Sequence, residues 1–347
     1  MPKPREAVVR MAPYSPPADG RHDAIRLDFN ENTVGCSPTV IEFLKTRLTA
    51  DALSIYPEYS QAKAELAAFF GVAENEMLFT NGTDEAIQVM INTYIDDGDD
   101  VLILRPSYAM YRFYAELAGA SIREIDFHSD LSFPLEQLLD AIRPDTRAIL
   151  IANPNNPTGT GIGVAGIERI LQAAPEAAVL IDEAYFDFSG VTVLPLLARY
   201  ANLFVSRTFS KVYGMAAMRF GCLFSQSENV RMLHKAQSPY SVNTLAALAA
   251  RAAIRDTAYV RDYACEVLAA REIIYNGLRD LGIRAYPSEA NFILFEAGDR
   301  AIPIRDELRR RRVLVRDRSY EIPGAVRVTV GTRAHAEKFL EELRSIW

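Results

Sequence analysis

A chain of 347 residues with 49% hydrophobic composition is long enough for about two domains and a sizeable core. Its 38 basic and 45 acidic residues leave a net charge of −7, which speaks against nucleic-acid binding. Cys36, Cys222 and Cys265 are too scattered for a metal site, a redox motif or a disulfide framework, and no apolar run is long enough to span a membrane; a cytoplasmic, metal-free protein is the expectation.

Residues 1–29 carry prolines at positions 2, 4, 13, 16 and 17, which disfavour helix and predict an extended arm that docks on the rest of the chain or on a second subunit. The segment Asp28-Phe-Asn-Glu-Asn-Thr-Val-Gly35 follows, rich in turn residues. Ile55-Tyr-Pro-Glu-Tyr59 precedes a helix from about Gln61 to Phe70, whose apolar positions recur three and four apart. Phe79-Thr-Asn-Gly-Thr-Asp-Glu85 then opens a second apolar-periodic helix, whose free N–H groups suit a phosphate.

From residue 100 to 224, short apolar strands alternate with helices: strands at 101–104, 121–127, 148–152, 179–181, 203–205 and 221–224, helices at 109–118, 135–142 and 167–174. That alternation predicts an α/β fold with a mostly parallel sheet covered on both faces. Polar motifs fall where these strands end, the edge that faces a crevice in open α/β sheets. They are Tyr108 in Arg105-Pro-Ser-Tyr, Asn156 in Asn153-Pro-Asn-Asn-Pro-Thr-Gly159, Asp182 and Tyr185 in Asp-Glu-Ala-Tyr, and Lys211 in Ser206-Arg-Thr-Phe-Ser-Lys, with Arg219 eight residues on. A lysine reacts as a nucleophile once burial or a nearby cation lowers its pKa, and a buried carboxylate such as Asp182 needs a cation to meet. Farther on come Ser238-Pro-Tyr-Ser-Val-Asn243, a long helix at about 258–281, and a strand-helix-strand-strand-helix run to the C-terminus. The arginines at 309–312 read as a solvated helix end.

The order of cradle, aromatic, Asn-Pro-Thr-Gly, Asp-x-x-Tyr, Thr-x-Ser-Lys and Arg across residues 80–219 resembles the class I/II pyridoxal-phosphate aminotransferases of fold type I. Asn-Glu-Asn, Tyr-Pro-Glu, Pro-Tyr-x-Val-Asn and Gly-Thr-Arg are most similar to the histidinol-phosphate aminotransferase subfamily, except that Thr33 stands where that subfamily has proline. The resemblance implies a large domain at 30–260 around a mostly parallel seven-stranded sheet. It also implies a small α+β domain at 261–347, joined by the arm at 1–29.

Roles follow from the resemblance. Lys211 is the Schiff-base lysine and proton shuttle, Asp182 pairs with the protonated pyridine nitrogen, and Asn156 and Tyr185 bond the ring's phenolic oxygen. Tyr108 stacks on the ring. Gly82, Thr83, Asp84, Thr208, Ser210 and Arg219 surround the cofactor phosphate, Asp84 through its backbone N–H. Tyr56 reaches the phosphate in the neighbouring subunit, which implies a homodimer with shared sites. Arg333 binds the substrate carboxylate with Asn30 nearby and Asn291 behind, and Tyr240 and Asn243 meet a substrate phosphate. Tyr14 is either an active-site tyrosine or a packing residue.

The implied reaction is transamination from histidinol phosphate to 2-oxoglutarate. An aromatic-amino-acid aminotransferase and a threonine-phosphate decarboxylase share the same apparatus. A non-enzymatic pyridoxal-phosphate-binding regulatory domain lacks its basic helix-turn-helix arm here.

Overall fold

The structure, a computed structural model, describes residues 2–12 and 20–347. Within them a seven-stranded sheet is built from β2 (Met77–Thr80), β3 (Asp100–Arg105), β4 (Ser121–Asp126), β5 (Thr146–Ala152), β6 (Ala178–Asp182), β7 (Leu203–Thr208) and β8 (Gly221–Phe224), numbered after β1 (Ile25–Arg26). The strand order is β2-β8-β7-β6-β5-β3-β4, parallel throughout except that β8 runs antiparallel to both β7 and β2.

Side chains alternate across each strand, so the sheet divides two cores. Ile149, Ile151, Val179, Ile181 and Val205 enter one, and Ala148, Leu150, Leu180 and Phe204 the other. Burial on both faces explains why these strands read as continuous apolar runs. Strand β2, four buried residues long, was not among the strands placed from periodicity. So short a run before a turn cannot be told from the approach to a helix. The helix after it starts at Gly82, within the turn itself, and runs to Tyr94.

A second sheet has the order β11 (Arg316–Asp317), β12 (Ala325–Thr329), β9 (Phe292–Glu296), all antiparallel. The helices Thr257–Asp280 and Arg333–Arg344 pack together beside it. Gly277 sits inside the first of these because a side chain there would run into Leu340 of the second. The first strand after the helix Ala301–Arg310 divides in two. Val313–Leu314 (β10) pairs in parallel with β1, while β11 pairs with β12, and the chain changes sheets at Val315. Through that pairing, and through Thr329 N–H donating to Leu27 O, residues 25–30 are carried across the C-terminal sheet to the ends of the central strands. No helix among the described residues is long and apolar enough to cross a membrane.

Candidate active site

A cavity of about 440 Å³ opens where β5, β6 and β7 end, between the two sheets. Lys211 enters it from the loop after β7. Its Nζ donates to Phe29 O at 3.1 Å and lies 5.7 Å from the Tyr185 ring centre. The amine of this half-buried residue opens onto the cavity, and its pKa falls from 10.5 to about 8, through burial first and then the Arg327 charge. A large share of the amine is therefore neutral near pH 8, the form able to take a proton or attack a carbonyl.

Asp182 ends β6 at the cavity floor, and both of its oxygens accept hydroxyl hydrogens, Oδ1 from Ser206 at 2.8 Å and Oδ2 from Tyr111 at 3.0 Å. Burial raises its pKa from 3.8 to about 6, against these two bonds. Among the described residues no cation pairs with it. A carboxylate oriented so firmly, in a buried place without a counter-charge, fits a cationic group brought by a ligand.

Tyr185 accepts at its hydroxyl from Asn30 Nδ2 at 3.0 Å. Asn30 takes the left-handed conformation, φ 56°, that asparagine tolerates better than most residues. It is fixed there by Thr329, whose hydroxyl receives the Asn30 N–H and donates to Oδ1, and by Asn291, whose Nδ2 donates to the Asn30 carbonyl. Asn291 thus stands behind Asn30 and does not line the cavity.

The third wall is an anion cradle. Thr83 and Asp84, at the N-terminus of the helix Gly82–Tyr94, line the cavity together with Thr208, Ser210 and Arg219. Gly82 has φ 74°, and a side chain on it would come within 2.5 Å of Arg219 Nη2, so only glycine lets the guanidinium close over the helix end. The carboxylate of Asp84 does more than the sequence reading allowed. It accepts from the Tyr108 hydroxyl at 2.7 Å and from Arg219 Nη2 at 3.1 Å, and so sets the positions of both.

On the fourth side stand three arginines from the C-terminal sheet, Arg316, Arg318 and Arg327, with Tyr320. Arg327 Nη1 donates to Asn156 Oδ1 at 2.5 Å and Nη2 to Asp28 O at 2.7 Å. Arg318 is tied to Glu321, whereas Arg316 lies 5.3 Å from the Phe29 ring centre and pairs with no carboxylate among the described residues.

The arginine expected at 333 is a correction. Thr332 caps the helix Arg333–Arg344, which turns Arg333 outward, 62% exposed, to bond Glu266 at 2.9 Å. Arg327 takes its place at the cavity. It was legible as a charge at the centre of the apolar strand Ala325-Val-Arg-Val-Thr329, since a buried arginine needs a purpose.

Three more expected residues lie outside the cavity of this chain. Tyr56 is 73% exposed and stacks on Tyr240, ring centres 4.6 Å apart, at the surface. Asn243 caps the helix Thr244–Ala253, accepting from Ala246 N–H at 2.8 Å. Tyr14 falls outside the described residues. Tyr111, Ser206, Glu31, Arg316, Arg318, Tyr320 and Arg327 had been given no role. No cluster able to hold a metal occurs among the described residues.

These groups fit pyridoxal phosphate: a cradle with a guanidinium for the phosphate, an amine of lowered pKa for the aldehyde, and an unpaired buried carboxylate for the ring nitrogen. Residues 22–343 match the family described as aminotransferase class I and II. The histidinol-phosphate aminotransferase of a Geobacillus species (strain WCH70) is 35% identical over 93% of this chain and 90% of its own length. That of Symbiobacterium thermophilum is 35% identical over 98% of both. The crystal structure of histidinol-phosphate aminotransferase from Sinorhizobium meliloti in complex with pyridoxal-5'-phosphate superposes with a TM-score of 0.87 at 21% identity, over 99% of this chain and 98% of that one. With the family match spanning nearly its whole length and its lysine, acid and anion cradle gathered in one cavity, this chain belongs to the class I and II aminotransferases.

Proposed function

We propose that the protein transfers the amino group of histidinol phosphate to 2-oxoglutarate, using pyridoxal phosphate bound by Lys211, Asp182, Tyr185, Asn156, Tyr108 and the cradle at 82–84, 208–210 and 219. The relatives' names support the donor. The observation that carries the reading is the arginine wall: Arg327 and Arg316, the latter paired with no carboxylate among the described residues, present more guanidinium than carboxylate to the cavity the amine opens onto. A phosphate-bearing donor and a dicarboxylic acceptor both bring an anion to meet that surplus. An aromatic-amino-acid reading asks for an apolar wall where Arg316, Arg318 and Tyr320 stand.

Pyridoxal phosphate, when bound, supplies an aldehyde for the donor amine and a protonated ring that draws electrons from the bond to be broken. The remainder is done by the chain. Arg327, held by Asn156 and Asp28 O, fixes the anionic end of the substrate, so that the Cα–H bond is aimed consistently. Neutral Lys211 would accept the Cα proton and deliver it to the carbon on the far side of the transferred nitrogen, so that the nitrogen leaves with the cofactor and Cα becomes the keto carbon; Phe29 O is its resting partner. Ser206 and Tyr111 fix the Asp182 carboxylate, which would meet the ring nitrogen, and Asn30 fixes the Tyr185 hydroxyl, which would bond the ring's phenolic oxygen.

Two results test this. Single-turnover spectroscopy with L-histidinol phosphate, L-phenylalanine and L-threonine phosphate in parallel should show rapid amination of the cofactor with the first alone. Release of carbon dioxide from the third, or preference for the second, overturns the assignment. Arg316→Ala should raise KM for histidinol phosphate about 10- to 100-fold, the loss of one charge-assisted contact, with little change in kcat.

The homodimer belongs to the same proposal. Tyr56 and Tyr240 form an exposed aromatic stack, and Leu48, Leu53 and Ile55 are exposed in the same stretch of chain as Tyr56. Apolar surface of this kind suits a two-fold interface in which Tyr56 completes the cradle of a second copy. Mixing Lys211→Ala with Tyr56→Ala chains should restore activity, because the mixed dimer has one site with both residues intact. Mixed dimers that stay as inactive as the two parents rule out sharing.

A further inference from the structure

Behind the strand ends that carry the active site lies a second cavity, of about 350 Å³, between the end of the helix Ser60–Phe70 and residues 186–195. Side chains alternate across a strand, so Arg207 points there while its neighbours Ser206 and Thr208 serve the active site. The same alternation sends Glu183 away from Asp182. Arg207 Nε donates to Glu183 at 2.7 Å and Nη2 to Thr192 Oγ1 at 2.9 Å, and its guanidinium lies 3.5 Å from the Phe186 ring centre. Glu183 also accepts from Thr192 Oγ1 and Val193 N–H. This ion pair neutralises itself and has its bonds in place.

Asp187 is different. Its half-buried carboxylate lines the cavity with no side-chain hydrogen bond or ion pair among the described residues, and burial pushes its pKa up to about 6 against the nearby Arg207 charge. Beside it the Tyr213 hydroxyl also lacks a partner among the described residues. Summing Glu183, Arg207 and Asp187 leaves one negative charge, inside walls made of Phe69, Phe70, Phe186 and Tyr213. One net negative charge beside aromatic walls, in a cavity open on the Phe69 side, selects a cation with a flat apolar body.

We propose that this cavity is a second binding site, for a small organic monocation such as an aromatic amidine or amine, which Asp187 holds by its charge and the aromatic walls by its ring. The occupant touches Arg207 and Tyr213, which flank Ser206 and Lys211 in the chain, so its binding is felt in turnover.

Benzamidine is a suitable probe, because its amidinium stays protonated and does not condense with the cofactor aldehyde. Calorimetry on the holoenzyme should show one benzamidine per chain, undisplaced by a saturating amino donor, and steady-state kinetics should show a change in kcat that excess donor does not reverse. Asp187→Asn, which removes the charge at constant shape, should weaken binding at least about tenfold while basal kcat stays the same. Leu194→Trp should block binding by filling the cavity with Asp187 intact. No binding at millimolar probe, equal affinity in Asp187→Asn, or displacement by the donor overturns the site. Binding that leaves kcat unchanged overturns its connection to turnover.

Discussion

Lys211→Ala lowers turnover about 10⁴-fold or more, since one substitution removes both the covalent anchor and the proton carrier. Three features make this amine effective: burial and the Arg327 charge bring its pKa to about 8, Phe29 O fixes its direction, and the cavity admits substrate to it. Added methylamine should restore a small part of the activity, as expected if the missing element is an amine and not the shape of the site. The visible absorbance of the lysine-bound cofactor should vanish, whereas retained turnover with unchanged absorbance refutes the assignment.

The same shift predicts a stability effect. The folded-state pKa of Lys211, about 8, lies below its ordinary 10.5, so between these values the unfolded chain binds the proton and the folded chain does not. The contribution of Lys211 to the stability of the cofactor-free protein therefore rises with pH across that window. The rise is at most about 3 kcal/mol, and the alanine variant should lack it. Urea denaturation at several pH values reads this out independently of catalysis.

The fold was legible because its strands are buried on both faces, and a continuous apolar run ending in a polar motif marks both a strand and its functional end. Lys211, Asp182, Tyr185, Asn156 and Arg219 were found in that way, and they line one cavity. What escaped the reading depends on spatial, not sequential, proximity. Tyr111 lies one helical turn beyond Tyr108 and Ser206 one strand over from Asp182, and neither spacing marks them as its partners. Arg333 was chosen because Gly-Thr-Arg closes the last strand, but that threonine is a helix cap and turns the arginine to solvent. Arg327 faces inward simply through strand alternation, which applies to it as it does to the valines on either side. Tyr56 and Tyr240 stack on each other at the surface and are not among the residues that line the active-site cavity of their own chain.

Asp182→Asn should lower kcat about 10²- to 10³-fold and weaken pyridoxal phosphate binding, because a buried cationic partner is left without its charge. The cause lies in the donor count around this residue. Ser206 and Tyr111 each give a hydrogen to a different oxygen, an arrangement only a carboxylate accepts in full. An asparagine presents its NH₂ to one of the two hydroxyls, whose hydrogen then has to rotate to another acceptor, so one of the two bonds is reversed as the charge is lost. Tyr111→Phe separates the effects: the charge stays, one donor goes, and the loss should be nearer tenfold. Stability again carries an independent sign. Asp182 has its pKa raised from 3.8 to about 6, so in that window the folded chain binds the proton and the unfolded one does not. The contribution of Asp182 to the stability of the cofactor-free protein accordingly falls as pH rises from about 4 to about 6, by up to about 3 kcal/mol, and the difference between wild type and Asp182→Asn should follow that fall. An asparagine variant with normal turnover and an unchanged acid limb would mean that the carboxylate neither bears charge in the working enzyme nor is strained in the empty one.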